Sequence, residues 1–414
     1  KKEATNATNV VRLHAHMCRN GLQSHAIHGN YIVLMLIHVG KLSCANYVYH
    51  RLSHPNTYSW NALIIANIKA GKLQHALLLF HEMQRYNSVK ISAFALLSLV
   101  KCCANLRNLQ DGIRIHTKAT KMGLLNKDPF VGSALVDMYA KCDSLSRAHK
   151  VFDKIKTRDV VAWTSLISGY ADHNDVDKAI KCFELMQLEG VKADRVIFVC
   201  ILRACACVGN MDKVQEVHED IERNGLLGKD LVLGTTLVGI YAKHGFLAQA
   251  RFVFDKLRNR DVVSWTALML GYAEHGHNTE AIDCFENMQL DGISPDAITF
   301  VCSLKACSNL GASSKVEAIH CQIEKEGLLE KDLSIGTALL DAYAKCGSFS
   351  KAQQVFDNLL VHDDVSWTAL MLGYTDQGHG DEALKCYELS HLEGLIPNAV
   401  TFACILKACA QIGA

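Results

Sequence analysis

Proline is nearly absent, with four residues in 414, and strand-like alternation is scarce; both shortages argue for helices. No run of eighteen apolar residues occurs, which excludes a membrane-spanning helix. An excess of either charge is missing too. Forty-three Lys and Arg against forty-two Asp and Glu leave a net charge of +1, so no global field draws the chain to nucleic acid or to an anionic membrane. Any nucleic-acid site must be a local face. The N-terminal "KKEATNATNVVRLHAHM" has neither the apolar stretch of a signal peptide nor the Arg/Ser richness of a transit peptide. Catalytic signatures are lacking: no H-x-E with a later P-C-x-x-C, no P-loop, no G-x-S-x-G and no dinucleotide fingerprint. The chain therefore reads as no enzyme, with no metal and no cofactor.

Cysteine is plentiful, at seventeen, yet no C-x-x-C pair occurs. That weakens zinc and thioredoxin readings. The thiols instead keep a beat. Cys103, Cys205, Cys307 and Cys409 lie 102 residues apart, as do Cys200, Cys302 and Cys404, and Cys182, Cys284 and Cys386. They sit among apolar helix positions such as "ILRAC" and "SLKAC", where cysteine acts as a small buried hydrophobe. Reduced core thiols and a reducing compartment follow.

The same beat governs whole phrases. "RDVVAWTSLISGY" at 158–170 returns as "RDVVSWTALMLGY" at 260–272 and as "HDDVSWTALMLGY" at 362–374, which places Trp163, Trp265 and Trp367 at intervals of 102. Such periodicity signals a repeat array. Each block of 102 holds three unequal units of 35, 36 and 31 residues, for example 160–194, 195–230 and 231–261. Within 262–296, Trp265, Leu268, Met269 and Tyr272 mark one face of a first helix, and Gly276 stops it. Ala281, Cys284, Phe285 and Met288 mark a second helix, closed by Gly292 and Pro295. Neither helix hides its stripe alone, whereas stacked pairs share a continuous core. The fold class is all-α, a solenoid of helical hairpins.

The unit phrases are "VVSWTALMLGYAEHGHNTEAIDCFENMQLDGISPD", "AITFVCSLKACSNLGASSKVEAIHCQIEKEGLLEKD" and "LSIGTALLDAYAKCGSFSKAQQVFDNLLVHD". In this order and at these lengths they resemble the P, L and S motifs of plant pentatricopeptide repeat proteins of the PLS class. The resemblance covers the whole chain. It implies a right-handed superhelix of eleven complete repeats between partial L repeats at 1–25 and 399–414. These are S 26–56, P 57–92, L 93–128, S 129–159, P 160–194, L 195–230, S 231–261, P 262–296, L 297–332, S 333–363 and P 364–398, with Ser88 an extra residue in the phase. A chain that starts and stops inside repeats also reads as part of a longer one. The family binds single-stranded RNA in mitochondria and chloroplasts, and its PLS branch mostly specifies sites of cytidine-to-uridine editing. A deaminase would then be supplied in trans or by domains beyond the array.

The resemblance further implies which residues read bases. In the family, the fifth and last residues of a unit read one base, and the second residue sandwiches it. The P units carry Asn61/Ser92, Thr164/Asp194, Thr266/Asp296 and Thr368/Asn398; the S units carry Asn30/Asn56, Ser133/Asp159, Thr235/Asp261 and Thr337/Asp363. Thr or Ser with Asp is the family's guanine pair, and a carboxylate suits guanine's N1–H and N2–H donors. Thr with Asn favours adenine, Asn with Ser cytosine, and Asn with Asn a pyrimidine. The sandwiching residues are Ile27, Tyr58, Phe130, Val161, Val232, Val263 and Val365, with Ser334 a departure. The L units place Leu97, Val199 and Val301 at the fifth position and read as spacers. With the protein N-terminus at the RNA 5′ end, the expected site is 5′-Y-C-n-G-G-n-G-G-n-G-A-3′.

Plainer roles compete for the same residues. Thr near a helix start and Asp in the loop before it are ordinary caps. His14, His116, His218 and His320 keep the beat but lie three repeats apart, which suits helix packing rather than one metal ion. Lys141, Lys243 and Lys345 divide between phosphate contact and simple solvation. Terminal repeats with uncapped apolar faces allow dimerisation. The rival reading is a protein-interaction solenoid that takes a peptide on its concave face.

Overall fold

The computed structural model describes residues 26–52, 54–85, 90–329, 332–359, 361–394 and 396–413, with Arg12, Ala15, His16 and Arg19. His14 and Ser88 lie outside the described residues, as does nearly all of 1–25. Every regular element among the described residues is an α-helix. The chain forms two compact units, residues 1–208 and 209–414, so the division falls inside the expected L repeat 195–230.

Helices alternate in length according to a simple rule. Helices such as Pro129–Lys141, Val160–Asp172, Arg195–Cys207 and Val262–Glu274 are each 13 residues. Their partners vary: Val176–Leu188 and Asn278–Leu290 have 13 residues, but Leu145–Phe152 has 8 and Leu247–Asp255 has 9. The shortest sequence units, at 31 residues, thus owe their length to a truncated second helix. Among the described residues, eleven helices start directly after an Asp, Asn or Ser in extended backbone whose side chain accepts from an N–H of the first turn. Gly276 and Gly292, at φ of +80° and +74°, end their helices in the left-handed region.

Packing follows the repeat. Trp60, Trp163, Trp265 and Trp367 are buried, and the last three meet Phe152, Phe254 and Phe356 edge-on at 4.6 Å. Neighbouring first helices approach closely where Gly169, Gly271 and Gly373 face Ala140, Ala242 and Ala344. The cysteines of the described residues are free. Burial pushes the thiols of Cys182, Cys284, Cys302 and Cys386 up to about 11, as expected for inert core groups.

The phased histidines bridge consecutive hairpins. Nδ1 of His116, His218 and His320 lies 2.8, 3.1 and 3.0 Å from the hydroxyls of Tyr139, Tyr241 and Tyr343. Burial holds all three imidazoles below the ordinary histidine range, against the opposing pull of Glu222 and Glu324 on the last two. The folded state thus prefers them neutral. As pH falls through about 6.5, the unfolded chain takes up these protons first, so stability drops. Urea unfolding should show a lower midpoint at about pH 5.5 than at about pH 7, and replacing His218 and His320 by Gln should shrink that difference.

Candidate nucleic-acid interface

The second residue of each hairpin stands out from the surface. Ile27 and Tyr58 are 75% and 76% exposed, and Phe130, Val161, Val232, Val263 and Val365 are likewise exposed. Ser334 is exposed in the same place. Phe94, Val196, Ile298 and Val400, from the expected L repeats, are exposed in the same way. Sequence reasoning left these four out, although their second position was legible.

Beneath that stripe lie the fifth residues. Asn30, Asn61, Ser133, Thr266 and Thr368 are buried, while Thr164, Thr235 and Thr337 are half-buried. The hydroxyl hydrogen is spent within the protein. Thr164 and Thr337 donate to the carbonyls of Val160 and Leu333 four residues back, at 2.7 and 3.0 Å. Ser133 donates to Asp159 Oδ1 at 2.8 Å. Thr266 reaches both Val262 O and Thr299 Oγ1, and Thr368 reaches both Asp364 O and Thr401 Oγ1. Each of these oxygens is left as an acceptor. Thr235 differs, its Oγ1 being buried without a partner.

The last residues are the helix caps, and the caps use one oxygen only. Oδ1 of Asp159, Asp194, Asp261, Asp296 and Asp363 accepts from the backbone of Ala162, Ile197, Ser264, Thr299 and Ser366 at 2.8–2.9 Å. Among the described residues, Oδ2 of these five accepts no hydrogen bond. Capping therefore aims the carboxylate without exhausting it.

Fifth and last residues meet directly in three hairpins: Ser133 with Asp159, Asn56 N with Asn30 Oδ1 at 3.0 Å, and Ser92 N with Asn61 Oδ1 at 2.9 Å. In two others a Thr bridges them. Thr299 Oγ1 lies 2.8 Å from Thr266 and 2.6 Å from Asp296 Oδ1, and Thr401 Oγ1 links Thr368 to Asn398. No sequence reading had singled out Thr299 or Thr401. Thr164 and Asp194, Thr235 and Asp261, and Thr337 and Asp363 share no hydrogen bond among the described residues. Asn30 and Asn61 also donate their amide hydrogens inward, to His54 O and to Thr57 O and Lys90 O.

One cleft gathers the three kinds of position. It encloses about 810 Å³ and is lined by Ser334 and Val365, by Thr337 and Thr368, and by Asp363 and Asn398. Such a cleft presents acceptors beneath apolar walls. The lysines divide unevenly: Lys141 and Lys345 pair with Asp137 and Asp341 at 3.0 and 2.7 Å, whereas Lys243 has Gly239 four residues back and no carboxylate partner among the described residues.

Known proteins share this architecture. The pattern of the PPR repeat family matches residues 158–207 and 260–309. The PPR repeat itself matches 58–88, 133–160, 196–226, 235–262, 337–363 and 365–395. A mitochondrial pentatricopeptide repeat-containing protein of Arabidopsis thaliana is 33% identical over 378 residues, covering 91% of this chain and 36% of its own. A chloroplastic one from the same plant is 33% identical over 401 residues, covering 97% and 64%. A second mitochondrial one is 30% identical, covering 99% and 74%. The chain thus spans 36% and 64% of the first two relatives' lengths. Among solved structures, PPR10 in complex with an 18-nt psaJ RNA element superposes with a TM-score of 0.68 at 19% identity, covering 95% of this chain and 59% of that one. PPR10 from maize superposes at 0.58 and 18%, covering 99% and 65%.

Proposed function

The chain belongs to the PPR repeat family, and we propose that it is a sequence-specific reader of single-stranded RNA. The cleft at 333–400 carries the reading, because second, fifth and last residues of adjacent hairpins line one space there. A base slides between exposed apolar side chains and turns its edge toward a hydroxyl and a carboxylate. Both are acceptors, since the hydroxyl hydrogen is bonded inward. Guanine alone offers two adjacent donors, N1–H and N2–H, on that edge; adenine, cytosine and uracil each present a donor beside an acceptor. Five hairpins carry Thr or Ser with Asp, and the expected target is 5′-Y-C-n-G-G-n-G-G-n-G-A-3′. Asn30 and Asn61, already bonded internally, read less sharply than the guanine positions.

The most economical setting is an organellar RNA-processing factor. Relatives are named mitochondrial and chloroplastic, and one solved structure holds RNA on the same fold. The PLS-like order of units points to marking sites of cytidine-to-uridine editing, with a deaminase supplied in cis or in trans. A peptide scaffold remains the rival; it gives no reason for polar fifth residues in eight hairpins and Leu97, Val199 and Val301 in the others.

The test is reprogramming. Competition binding uses four RNAs that differ only at the eighth nucleotide, read by Thr266 and Asp296. Thr266→Asn with Asp296 retained should move the first choice from guanine to uracil by about tenfold. An unchanged preference removes Thr266 from base reading.

A further inference from the structure

Three residues past Ser92, Asp194, Asp296 and Asn398 stand Ala95, Ile197, Thr299 and Thr401. Two of these places permit a direct comparison, because the pair beside them is the same: Thr164 with Asp194, and Thr266 with Asp296. Ile197 and Thr299 are both fully buried. Both lend a backbone N–H to the cap, at 2.9 and 2.8 Å from Oδ1 of the aspartate. Only the threonine adds a hydroxyl.

That hydroxyl touches both members of the pair. Thr299 Oγ1 donates to Asp296 Oδ1 at 2.6 Å and lies 2.8 Å from Thr266 Oγ1. Its single hydrogen goes to the charged acceptor, so toward Thr266 it can only accept. The Thr266 hydrogen is then divided between Thr299 Oγ1 and Val262 O, the latter at 2.7 Å. Neither hydroxyl has a hydrogen left for a base. Asp296 Oδ1 meanwhile receives an N–H and an O–H from one residue, which restrains the carboxylate and with it the direction of Oδ2. At Asp194, among the described residues, only the N–H of Ile197 reaches Oδ1, so the carboxylate can swing about that bond. Thr164 is bonded apart from it, to Val160 O. The serines in the same place elsewhere do not copy the bridge. Ser264 and Ser366 donate to the backbone carbonyls of Asp261 and Asp363 rather than to their carboxylates. Thr401 repeats it with longer contacts, 3.1 Å to Asn398 Oδ1 and 3.4 Å to Thr368 Oγ1.

We propose that Thr299 is a positioning residue for base reading: it locks Thr266 and Asp296 into one pair of acceptors and so sharpens guanine choice at the eighth nucleotide. At the fifth nucleotide Ile197 leaves Thr164 and Asp194 independent, and the choice there is looser. The proposal rests on base reading by these two pairs. Thr299 has no exposed surface, so it acts through its neighbours and not on RNA. Guanine's N1–H and N2–H need both acceptors at once. A swinging carboxylate must be ordered when the base arrives, whereas one already held loses little freedom on binding.

The experiment measures guanine-over-adenine discrimination at the fifth and at the eighth nucleotide, as a ratio of dissociation constants. A ratio taken on one protein cancels any loss of folded fraction. In the unmodified chain the ratio at the eighth should exceed that at the fifth by about fivefold. Thr299→Val keeps the branched shape without the hydroxyl; it should bring the eighth down to the level of the fifth and leave the fifth unchanged. Thr299→Ser restores the hydroxyl and should recover most of the difference. Ile197→Thr should raise the ratio at the fifth alone. An eighth-nucleotide ratio that survives in Thr299→Val, or that falls as far in Thr299→Ser, overturns the proposal while leaving base reading intact. So does an equal fall at both nucleotides in Thr299→Val, which would mark a purely structural role. Absence of discrimination at both nucleotides in the unmodified chain overturns base reading and this proposal with it.

Discussion

Changing the five guanines of 5′-Y-C-n-G-G-n-G-G-n-G-A-3′ to adenine should weaken binding by at least about a thousandfold. Each guanine loses a carboxylate acceptor, joined at all but the Thr235 position by a hydroxyl whose hydrogen is bonded inward, and a well-formed two-point base contact discriminates by about 1–3 kcal/mol. Five such losses, even at the low end, exceed the roughly 4 kcal/mol that separates a thousandfold change in affinity. Electrostatics cannot mask the loss. The chain carries a net charge of +1, two of its three phased lysines are already paired, and the reading residues add carboxylates to the groove. A protein that held RNA mainly by its phosphates would bind both sequences alike and with steep salt dependence. Mobility shift with the two RNAs at one salt concentration is decisive. Equal affinity, or no binding of either, removes the base-reading account and leaves the peptide scaffold. Changing only the first two nucleotides should cost far less, about threefold, because Asn30 and Asn61 have their amides engaged within the protein.

Helix starts were open to inspection because their physics is local. A helix beginning at residue 262 needs an acceptor at 261, and the sequence has Asp there; the same holds at Asp159, Asp194 and Asp363. Burial of the tryptophans followed from their place on a 3.6-residue stripe, and the free thiols from theirs. The allotment of hydrogens could not be read in this way. Capping and base reading looked like rival explanations for Asp159, and the structure makes them compatible by assigning the cap to Oδ1. Nor did a string of letters show that Thr299 bridges Thr266 to Asp296 across a seam, since the two threonines are 33 residues apart. The lysines lie between these cases. Their partners sit four residues back on the same helix, so Asp137, Asp341 and Gly239 could have been read directly. The same holds for the arginine before Asp159 and before Asp261, visible in "RDVV" twice, whereas its place against Phe and Trp is a tertiary fact.

Gly271→Ala should destabilise the protein by about 2 kcal/mol or more, against the usual sign of that substitution in a helix. Alanine normally gains about 1 kcal/mol over glycine in a helix interior. At Gly271, however, an added methyl would lie 2.4 Å from Ala242 Cβ, 2.9 Å from its Cα and 3.1 Å from its carbonyl carbon. Two of these atoms are backbone, so no rotamer change relieves them, and helices Leu231–Lys243 and Val262–Glu274 must separate. Overpacking of this kind costs more than the propensity gain. Gly276 offers the contrast: its Cβ would meet nothing within 4 Å, and only its φ of +80° opposes substitution, at about 1 kcal/mol. Denaturant unfolding of both variants tests the ranking, and Ala242→Gly should recover part of the loss in Gly271→Ala as a coupled pair. A stabilised Gly271→Ala protein would refute the close approach. The spacing of these helices also sets the gap between the exposed Val232 and Val263, the two side chains proposed to flank the seventh base, that of Thr235 and Asp261. Gly271→Ala should therefore weaken discrimination there before it weakens it at the tenth, because in a repeat array each hairpin packs only on its neighbours.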